Sequence, residues 1–577
     1  MLRVWVISTM GKKQGGPGAA SGAWPVPSLP ASQAHEMPHC PRACLDLKTS
    51  LKPLVPPPAL VPKTGLSPSL RRFLFFTAAI NGAVIMIVEI LGAKLLSPYV
   101  GTSHFVWTAQ IAVTLMALAF GYWAGGSWVH RSADLRNLYG AVLGAALWLA
   151  LCLVICEPVA NFALSLPSLA VGTLIASAVL FFVPLALLAT TGPFLVQVFT
   201  ASVATVGSNV GRLSALSTLG SFAGTILIGY VLVPLLPNSK TLLAVVLILA
   251  FEVVTYFVFW GKRRQLPVAL ILGGLSGAIG LAGVGQDLRR RVAFGEIAFA
   301  NSNFGQLQVI DRRQNGMTLR MYLNDYLMQN SYEPTRGISL SAFTYLLPGF
   351  ARSYQPAIQE VLCLGLGVGI VPMQFAREGA RVDAVEINPA VIPLATKYFG
   401  FNPAAVHVYE GDARQYVRRC TKQYDCVVLD AFLGDSTPVH LMSQEAFRAV
   451  RKVLKPEGVL VINTFAKTEA GQDFFANSLY QTLQSVFGTV ALHRTEDGKC
   501  FYAASPALGR KPTIPPGLLA SYVPMIRQEY QWALTNVPSM DPRHGIVLTD
   551  DFNPVEYHDA ANREATRRRI VANALRH

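Results

Sequence analysis

Long apolar runs fill the middle of the chain, between Phe73 and Val284. Each run is long enough to cross the roughly 30 Å hydrocarbon core of a membrane as a helix. The runs lie near residues 73–96, 105–128, 137–156, 168–190, 212–236, 241–260 and 266–284. Glycines such as Gly220 and Gly224 recur at helical spacing and allow helices to pack closely in lipid. The pattern predicts an α-helical transmembrane bundle of about seven spans over residues 71–286.

Shorter runs with alternating polar and apolar positions follow the last long run. Residues 304–311 and 317–323 have the alternation of β-strands, and they flank the sequence QNG at residues 314–316. Asn-Gly between two such runs is a strong signal for a tight hairpin turn. We therefore expect a small β-hairpin subdomain over residues 292–356 that folds over a ligand pocket.

Short apolar runs in the last third of the chain predict the strands of a parallel sheet. These runs are residues 361–364, 381–387, 406–410, 424–429 and 458–463. A helical pattern follows the first run, and residues 438–454 predict another helix before the last one. Strands that alternate with helices are typical of a doubly wound sheet. We predict an α/β Rossmann-like domain of the methyltransferase type over residues 357–560.

Glycines and acidic residues fall where these predicted strands end. The first strand is followed by Gly365, Gly367 and Gly369. The next three strands end in Glu386, Asp412 and Asp430. A glycine turn lets the backbone approach a ligand closely, and a carboxylate after the second strand can accept hydrogen bonds from ribose hydroxyls. The pattern favours a nucleoside site over the alternative of a merely structural turn.

Composition supports a membrane protein with more than one domain. A chain of 577 residues is too long for one hydrophobic core. With 52% hydrophobic and 14% charged residues, and a mean hydropathy of +0.39, it is too apolar for a soluble enzyme of this size. The formal net charge of +15 fits basic loops that face anionic lipid, and no nucleic-acid-binding module is visible. We therefore predict a lipid membrane, and no nucleic acid, among the partners.

The two ends of the chain differ from the predicted domains. Residues 1–70 are rich in Pro, Gly, Ala and Ser without periodicity, which predicts a disordered tail, and residues 561–577 form a basic C-terminal tail. The eight cysteines are scattered and imply no disulfide framework. His39, Cys40 and Cys44 resemble half of a metal site, but no second pair of ligands completes it, so we predict no metal.

Basic residues near the span ends bear on the orientation of the bundle. Those that favour a cytoplasmic N-terminus are Arg71, Arg72, Arg131, Arg136, Arg212 and residues 262–264. With seven spans, that orientation puts the C-terminal domain outside. Residues 289–291 are basic too, and a cytosolic nucleoside cosubstrate favours a cytoplasmic domain, which requires a miscounted span such as a re-entrant pair within 168–199. We expect an integral membrane protein whose C-terminal domain is cytoplasmic.

Two acidic residues, Glu89 and Glu252, lie within the predicted spans. An ionisable group at membrane depth is costly, and it is by default a candidate for function. The alternative is a protonated carboxyl group that bonds a neighbouring helix. Both interpretations stay open at this point.

Together these motifs resemble the spermidine synthase family of polyamine aminopropyltransferases. The closer resemblance is to bacterial membrane proteins that fuse such a domain to an N-terminal multi-span module, and by motif order it covers about residues 73–560. In the spans it rests on Glu89, PYVG at 98–101, Leu219, Gly220 and Gly224. In the soluble part it rests on the glycine turn, VEINP at 385–389, GDA at 411–413, LDAFLGDSTPVHL at 429–441 and LTDDFNP at 548–554. It implies a location in the bacterial inner (plasma) membrane.

The resemblance implies a role for several residues. The cosubstrate is decarboxylated S-adenosylmethionine, or S-adenosylmethionine itself, with no tightly bound cofactor. The residues implied to bind it are Gln329, Gly365, Gly367, Gly369, Glu386, Asp412 and Ala413. Among them Glu386 holds the ribose and Asp412 lies beside the adenine. The implied catalytic residues are Asp435, which accepts a proton from the attacking amine, and Asp430, which orients or attracts that amine.

The implied function is transfer of an aminopropyl group to a small amine or polyamine by a membrane-anchored enzyme of polyamine biosynthesis, with self-association left open. Two departures weaken the link to spermidine: Val368 stands where the family has an amine-holding acid, and the loop between Asp430 and Asp435 is longer. Two alternatives remain. A methyltransferase would need the ribose acid and the glycine turn but not the acids of the fourth-strand loop. A nucleoside or polyamine sensor or transporter would keep Glu386 and could lose the base.

Overall fold

The computed structural model of the protein describes residues 66–101, 104–200, 203–314, 316–432, 438–560, 562, 564, 565 and 568. Most of the two predicted tails lies outside these residues. So do Asn315 of the predicted hairpin turn and Asp435, the predicted base. The first helix begins at Pro68, within the range predicted for the N-terminal tail, because Ser67 caps it by accepting a hydrogen bond from the backbone N–H of Leu70 at 3.2 Å.

Helices α1 to α10 form the N-terminal bundle. Their bounds are α1 Pro68–Val100, α2 His104–Arg131, α3 Leu135–Ser165, α4 Leu169–Ser177, α5 Val183–Ala189, α6 Thr191–Phe199, α7 Val203–Leu227, α8 Val233–Leu235, α9 Asn238–Phe259 and α10 Leu266–Ala293. Short π-helical turns, Ala178–Phe182 and Ile228–Leu232, join α4 to α5 and α7 to α8. Within the described residues, seven stretches of helix are long and apolar enough to cross a membrane, by length and composition. Each overlaps one of the predicted spans.

The fourth of these stretches, Leu169–Phe199, is continuous and is not the re-entrant pair considered above. Its π-helical turn is followed by Pro184, which has no backbone N–H to bond the carbonyl of Leu180. That carbonyl accepts hydrogen bonds from the indole N–H of Trp148 at 3.1 Å and from the thiol of Cys152 at 3.1 Å. Helix α3 therefore replaces the hydrogen bond that the proline removes.

The five strands after the bundle form one antiparallel sheet in chain order. They are β1 Glu296–Ser302, β2 Gly305–Gln314, β3 Met317–Asn324, β4 Leu327–Glu333 and β5 Ile338–Ser339. β2 and β3 are the predicted hairpin, with Gln314 opposite Met317, whereas β1, β4 and β5 were not predicted. A second tight turn joins β3 to β4 through Asp325 and Tyr326, which both have left-handed backbone angles, with φ of 46° and 60°. Asp325 accepts a hydrogen bond from the backbone N–H of Gln306 at 2.9 Å, which holds this turn against β2.

The remaining strands form a second sheet, as the sequence predicts. They are β6 Glu360–Leu364, β7 Arg381–Glu386, β8 His407–Glu410, β9 Tyr424–Leu429, β10 Leu454–Thr464, β11 Thr489–Arg494 and β12 Cys500–Ser505. The seven strands lie in the order β11-β12-β10-β9-β6-β7-β8. β6 to β10 are parallel to one another, whereas β11 and β12 are antiparallel additions that the sequence pattern did not indicate.

Helices pack on both faces of this sheet, so alternate residues of its inner strands face two separate hydrophobic cores. They are α11 Phe343–Tyr354, α12 Ile370–Arg377, α13 Val391–Tyr398, α14 Ala413–Arg419, α15 Gln444–Val453, α16 Phe474–Gln484, α17 Leu518–Ser521, α18 Pro524–Thr535 and α19 Val555–His558. The helix predicted over 438–454 is divided into a short turn, Val439–Leu441, and α15. The division occurs because Ser443 caps α15, accepting a hydrogen bond from the N–H of Ala446 at 3.2 Å.

Among the described residues, the soluble part contacts the bundle through β1, which packs on α8, and through two further regions. The ring of Tyr326 stacks with that of Tyr99 in α1, with ring centroids 6.3 Å apart. Near the end of the chain, Arg568 donates a hydrogen bond to the carbonyl of Leu164 at 2.7 Å. The carboxylate of Glu564 accepts one from the backbone N–H of Leu169 at 3.1 Å. The soluble part is therefore attached to the bundle at the end of α1 and at the connection between α3 and α4.

Glycines set the distance between several helices of the bundle. A Cβ atom on Gly121 of α2 would overlap the backbone of Ala186 and the side chain of Ala189, both in α5. A Cβ atom on Gly126, further along α2, would meet no atom within 4 Å. Of these two glycines, the packing of α2 on α5 requires only Gly121.

Gly121→Ala is expected to destabilise the bundle, because the added methyl group has to push α2 away from α5. Overpacking of this kind costs about 1–3 kcal/mol. Gly126→Ala is the matched control and should be neutral or slightly stabilising, since alanine favours a helix over glycine by about 1 kcal/mol. Thermal unfolding of the full-length protein in detergent measures the difference, and equal melting temperatures of the two variants would contradict the packing.

Candidate functional site

A cavity of about 460 Å³ lies at the edge of the seven-stranded sheet where β6, β7 and β9 end. The five-stranded sheet forms part of its wall through side chains such as Tyr322 and Asn324. The predicted site residues that line the cavity are Gln329, Gly365, Gly367, Glu386, Asp412, Ala413 and Asp430. Gly369 lies next to it, at the start of α12, and Asp435 lies outside the described residues.

Backbone hydrogen bonds align the ends of the three central strands. The N–H of Asp430 donates to the carbonyl of Leu364 at 3.0 Å, and the N–H of Gly365 donates to the carbonyl of Val385 at 2.9 Å. The residues that follow β6, β7 and β9 therefore lie side by side. This alignment brings the glycine turn and two of the predicted acids to one edge of the sheet.

Two positions in the turn after β6 favour glycine for different structural reasons. Gly365 has a φ of 101°, and a Cβ atom there would overlap the backbone carbonyl of Asp430. Gly367 has a φ of 55°, and no atom lies within 4 Å of the position of a Cβ atom. The first glycine is thus needed for the contact with β9, whereas the second leaves open space at the cavity for a ligand.

Glu386 ends β7 and is held in place by the backbone. Glu386 is only 7% exposed. Its carboxylate oxygens accept hydrogen bonds from the backbone N–H groups of Leu366 at 3.0 Å and Asn388 at 2.8 Å. Burial raises the pKa of this carboxyl group, and the backbone hydrogen bonds oppose that shift. Because a carboxylate has about four acceptor positions, it can also accept hydrogen bonds from two hydroxyl groups of a ligand.

Asp412 has structural partners that the sequence pattern did not indicate. One carboxylate oxygen caps α14, accepting a hydrogen bond from the N–H of Gln415 at 2.8 Å. The other lies 3.1 Å from Nε2 of His440, which also lines the cavity. Asp412 therefore joins β8, α14 and the loop after β9. His440 lies in the stretch 429–441 already noted, but no feature of the sequence marked it as a partner of Asp412.

An ion pair holds the loop that carries His440. Asp550, from the stretch LTDDFNP, accepts hydrogen bonds from both terminal nitrogens of Arg414, and the Nη1–Oδ1 distance is 2.8 Å. Arg414 also donates to the backbone carbonyl of His440 at 2.7 Å. The guanidinium group lowers the pKa of Asp550. This part of LTDDFNP thus positions the cavity wall without lining it.

Asp430 faces the cavity at the end of β9. Its Oδ1 accepts a hydrogen bond from Nδ2 of Asn463 at 2.9 Å, and Asn463 lies near the end of β10. Burial raises the pKa of Asp430 to about 6, and the hydrogen bond from Asn463 offsets only part of this shift. Asn463 was missed because only acids were sought at the strand ends, and its own strand-end position is the signal that could have found it.

Val368 lines the cavity at this point of the turn with an apolar side chain. Val368 is 2% exposed and belongs to the hydrophobic core on one face of the sheet. Two aromatic rings line the cavity instead: Phe432 and Phe465 lie with centroids 4.6 Å apart. The cavity therefore combines acidic groups with an apolar surface.

Three charged residues of the cavity come from outside the central strands: Asp497, Lys499 and Glu529. Asp497 forms an ion pair with Lys499 at 2.8 Å. Burial raises the pKa of Glu529, and the negative charge of Asp497 adds to the shift. Sequence reasoning missed all three, because the β11–β12 turn and α18 reach the cavity through long-range packing.

Comparison with known proteins shows what this domain is similar to. Residues 342–494 match the model of the family described as the spermine/spermidine synthase domain. This part of the chain is therefore similar to spermine/spermidine synthase domains. The matched range includes β6 to β9 with Glu386, Asp412 and Asp430. The similar proteins with curated names include aminopropyltransferases and a methyltransferase, which are all transferases.

Three relatives differ in how much of the chain they match. A polyamine aminopropyltransferase of Vibrio vulnificus is 38% identical over 141 residues, which are 23% of this chain and 46% of that protein. An N-terminal histidine N-methyltransferase of Emericella nidulans is 33% identical over 157 residues, 26% of each chain. The chain thus spans less than half the length of these two relatives. Polyamine aminopropyltransferase 1 of Streptomyces coelicolor is 24% identical over 452 residues, 74% of this chain and 81% of that protein.

The last of these alignments is longer than the part of the chain that follows the bundle. It therefore includes part of the helical region together with the spermine/spermidine synthase domain. This is loose support for a relationship that extends into the bundle, because the identity is low.

Asp430→Asn is expected to stabilise the protein at about pH 8 and less so at about pH 5. The pKa of Asp430 lies above its ordinary value, so the folded state binds the proton more tightly than the unfolded state. The stability that this provides is present at low pH and is lost as the pH rises through about 6. Asparagine removes the cost of ionisation and can still accept the hydrogen bond from Asn463.

Thermal unfolding of the full-length protein at both pH values measures this effect. Asp551→Asn, at an exposed neighbour of Asp550, is the control and should match the wild type. A gain in melting temperature of the same size at both pH values would contradict the assignment to Asp430.

Proposed function

We propose that the cavity binds an S-adenosyl-type nucleoside and that the protein transfers an aminopropyl group from decarboxylated S-adenosylmethionine to an amine acceptor. The observation that carries the proposal is the single cavity in which Glu386, Asp412 and Asp430 lie beside the glycine turn. The family of residues 342–494 supports the same reaction, as do the relatives named as polyamine aminopropyltransferases.

The nucleoside is oriented in this proposal by the ends of β6, β7 and β8. Glu386 accepts hydrogen bonds from the two ribose hydroxyls, and the open space at Gly367 admits the ligand close to the backbone. Asp412 and Ala413 lie beside the adenine. Gln329, from the five-stranded sheet, contacts the cosubstrate from the opposite wall.

The chemistry needs a base near the acceptor nitrogen. A protonated amine has no lone pair, so the attacking amine has to be neutral. Its lone pair forms a bond to the aminopropyl carbon next to the sulfonium, the carbon–sulfur bond breaks, and its electrons neutralise the sulfur to give methylthioadenosine. The proton that the nitrogen loses goes to a carboxylate. We assign that role to Asp435, on the loop after β9, and assign to Asp430 the orientation of the amine.

The other groups of the cavity suit a cationic acceptor. The side-chain partner of Asp430 is the neutral amide of Asn463, and near Glu529 the negative charges of Asp497 and Glu496 act against the positive charge of Lys499. Negative charge in a partly enclosed cavity attracts amines. The rings of Phe432 and Phe465 offer apolar surface to an alkyl chain and a favourable face to a cation.

The helical bundle is proposed to anchor the transferase in the bacterial inner membrane. Large apolar side chains are more than half exposed on its outer surface, including Trp123, Tyr230, Phe251 and Ile271. Exposed apolar surface of this extent is unfavourable in water but fits lipid. We place the transferase domain on the cytoplasmic side, where the cosubstrate is made, although basic residues at the other helix ends favour the reverse. Protease accessibility of the domain in sealed vesicles of known orientation tests this assignment.

Glu386→Gln is expected to weaken the binding of methylthioadenosine by about tenfold or more. The substitution keeps the shape but removes the charge that strengthens the ribose hydrogen bonds, which are worth about 1.5–3 kcal/mol. Calorimetry on the full-length protein in detergent measures the affinity. Glu410→Gln is the matched control, since Glu410 ends the neighbouring strand β8 and is exposed. Equal affinity of Glu386→Gln and wild type would reject the ribose site.

The reaction class is tested by supplying the full-length protein with either decarboxylated or ordinary S-adenosylmethionine and a panel of di- and polyamines. Products are identified by mass. We expect an aminopropylated amine from the decarboxylated donor, and a rate lower by about 10²–10⁴-fold in Asp435→Asn, since a positioned base contributes that much. With decreasing pH the rate should fall near pH 6, because Asp430 becomes protonated there.

Other outcomes assign the protein to other classes. A methylated product would make it a methyltransferase, the alternative supported by the 33% identity to the N-terminal histidine N-methyltransferase of Emericella nidulans. Nucleoside binding without product from either donor would favour a sensor or transporter.

A further inference from the structure

A carboxyl group without a partner lies inside the helical bundle. Glu252 of α9 is 2% exposed, and neither of its carboxyl oxygens has a hydrogen-bond partner among the described residues. No described Lys, Arg or His acts on it, and the hydroxyl group of Thr77 in α1 is close enough to interact with the carboxyl group, although outside ordinary hydrogen-bond geometry. A carboxylate in such a place is strongly unfavourable unless a cation accompanies it.

Hydroxyl groups from two other helices lie near this carboxyl group. The hydroxyl oxygens of Thr77 in α1 and Tyr139 in α3 lie 2.9 Å apart, and both residues are fully buried. The charge of Glu252 acts electrostatically on Tyr139, which places the two groups near each other. One hydroxyl donates to the other, so lone pairs remain on both oxygens. The carboxylate and the two hydroxyls together present only oxygen atoms.

A further unpartnered acceptor lies one turn along α1. Asn81 is 2% exposed, and its amide donates to Thr191 at 2.9 Å while its Oδ1 has no hydrogen-bond partner. The unsatisfied atoms of Asn81 and Glu252 are thus all acceptors. A ligand that satisfies acceptors has to be a hydrogen-bond donor or a cation.

The space near Glu252 limits the size of that ligand. Tyr256 lies one turn beyond Glu252 on α9. Its ring stacks with that of Tyr139, with centroids 4.0 Å apart. Helix α10 packs against the opposite face of α9, where a Cβ atom on Gly273 would lie 3.7 Å from Ala250 and Val254. An organic amine would have to displace these side chains, whereas a proton or a metal ion of small radius would not.

We propose that Glu252, with the hydroxyl oxygens of Thr77 and Tyr139, forms a binding site for a small monovalent cation, H⁺ or Na⁺, inside the bundle. This site is separate from the transferase cavity and does not depend on the reaction proposed for it. It gives the bundle a function of its own besides anchoring, because a buried cation site is what a cation-coupled carrier or sensor requires.

The site lies closer to the end of the bundle that is remote from the transferase domain. Glu252 precedes the last residue of α9, Phe259, by a distance of about 10 Å along the helix at 1.5 Å per residue. Tyr256 lies between Glu252 and that end. The charged residues that act on Tyr256 are Asp134 and Arg136, which pair with each other near the start of α3. A cation entering from this end would pass Asp134 and Tyr256.

The test is infrared difference spectroscopy on the full-length protein in liposomes, where a neutral carboxyl group and a carboxylate have separate bands. In choline chloride at neutral pH we expect a band of a buried neutral carboxyl group that is lost in Glu252→Gln. If the ligand is Na⁺, replacing choline with Na⁺ converts this band to that of a carboxylate and raises the melting temperature. If the ligand is H⁺, the band is insensitive to Na⁺ and is lost only at higher pH.

Controls separate the site from the other acid of the bundle. Glu89→Gln should keep the band, because Glu89 is only partly buried. If Glu252→Gln does not fold, Glu252→Asp should shift the band without abolishing it. Spectra of the wild type and Glu252→Gln that coincide under every condition, or a Glu252 carboxylate that persists without Na⁺, would overturn the proposal.

Discussion

The parallel pairing of β6 with β7 and β9 is the constraint on which the candidate site depends. Leu364 is paired with Val385 on one side and with Leu429 on the other. Because side chains alternate along a strand, a shift of either pair by one residue would turn Glu386 or Asp430 away from the cavity. The strands are buried on both faces, so the two hydrophobic cores hold this register. The positions of the polar groups in the site therefore depend on apolar packing.

Features that depend on local sequence order could be predicted from the chain alone. Apolar runs indicate β6 to β9 and the helical stretches of the bundle, because burial in a parallel sheet or in lipid requires continuous apolar residues. Acids at successive strand ends have to meet at one edge of a parallel sheet, and Glu386, Asp412 and Asp430 do so. The hairpin of β2 and β3 follows from its turn sequence in the same way.

Features that depend on long-range contacts could not be predicted. Asp497 and Glu529 reach the cavity from elements with no characteristic motif. The ion pair between Arg414 and Asp550 joins residues that are far apart in sequence, so the sequence of the loop that it holds gives no sign of it. The unpartnered state of Glu252 likewise depends on which groups the neighbouring helices place around it. A single sequence contains these residues but does not show which of them are in contact in the folded protein.

The turn between β3 and β4 is next to the cavity on one side and contacts the bundle on the other. Asn324 lines the cavity, while Tyr326, just beyond it, stacks on Tyr99 and lies beside Arg290 at the end of α10. The left-handed backbone at Asp325 and Tyr326 needs such contacts to persist. A fragment cut after α10 would expose Tyr326 and release this turn next to the cavity. The bundle therefore supports one wall of the cavity, so a change at the end of α1 or α10 would be felt at the candidate site.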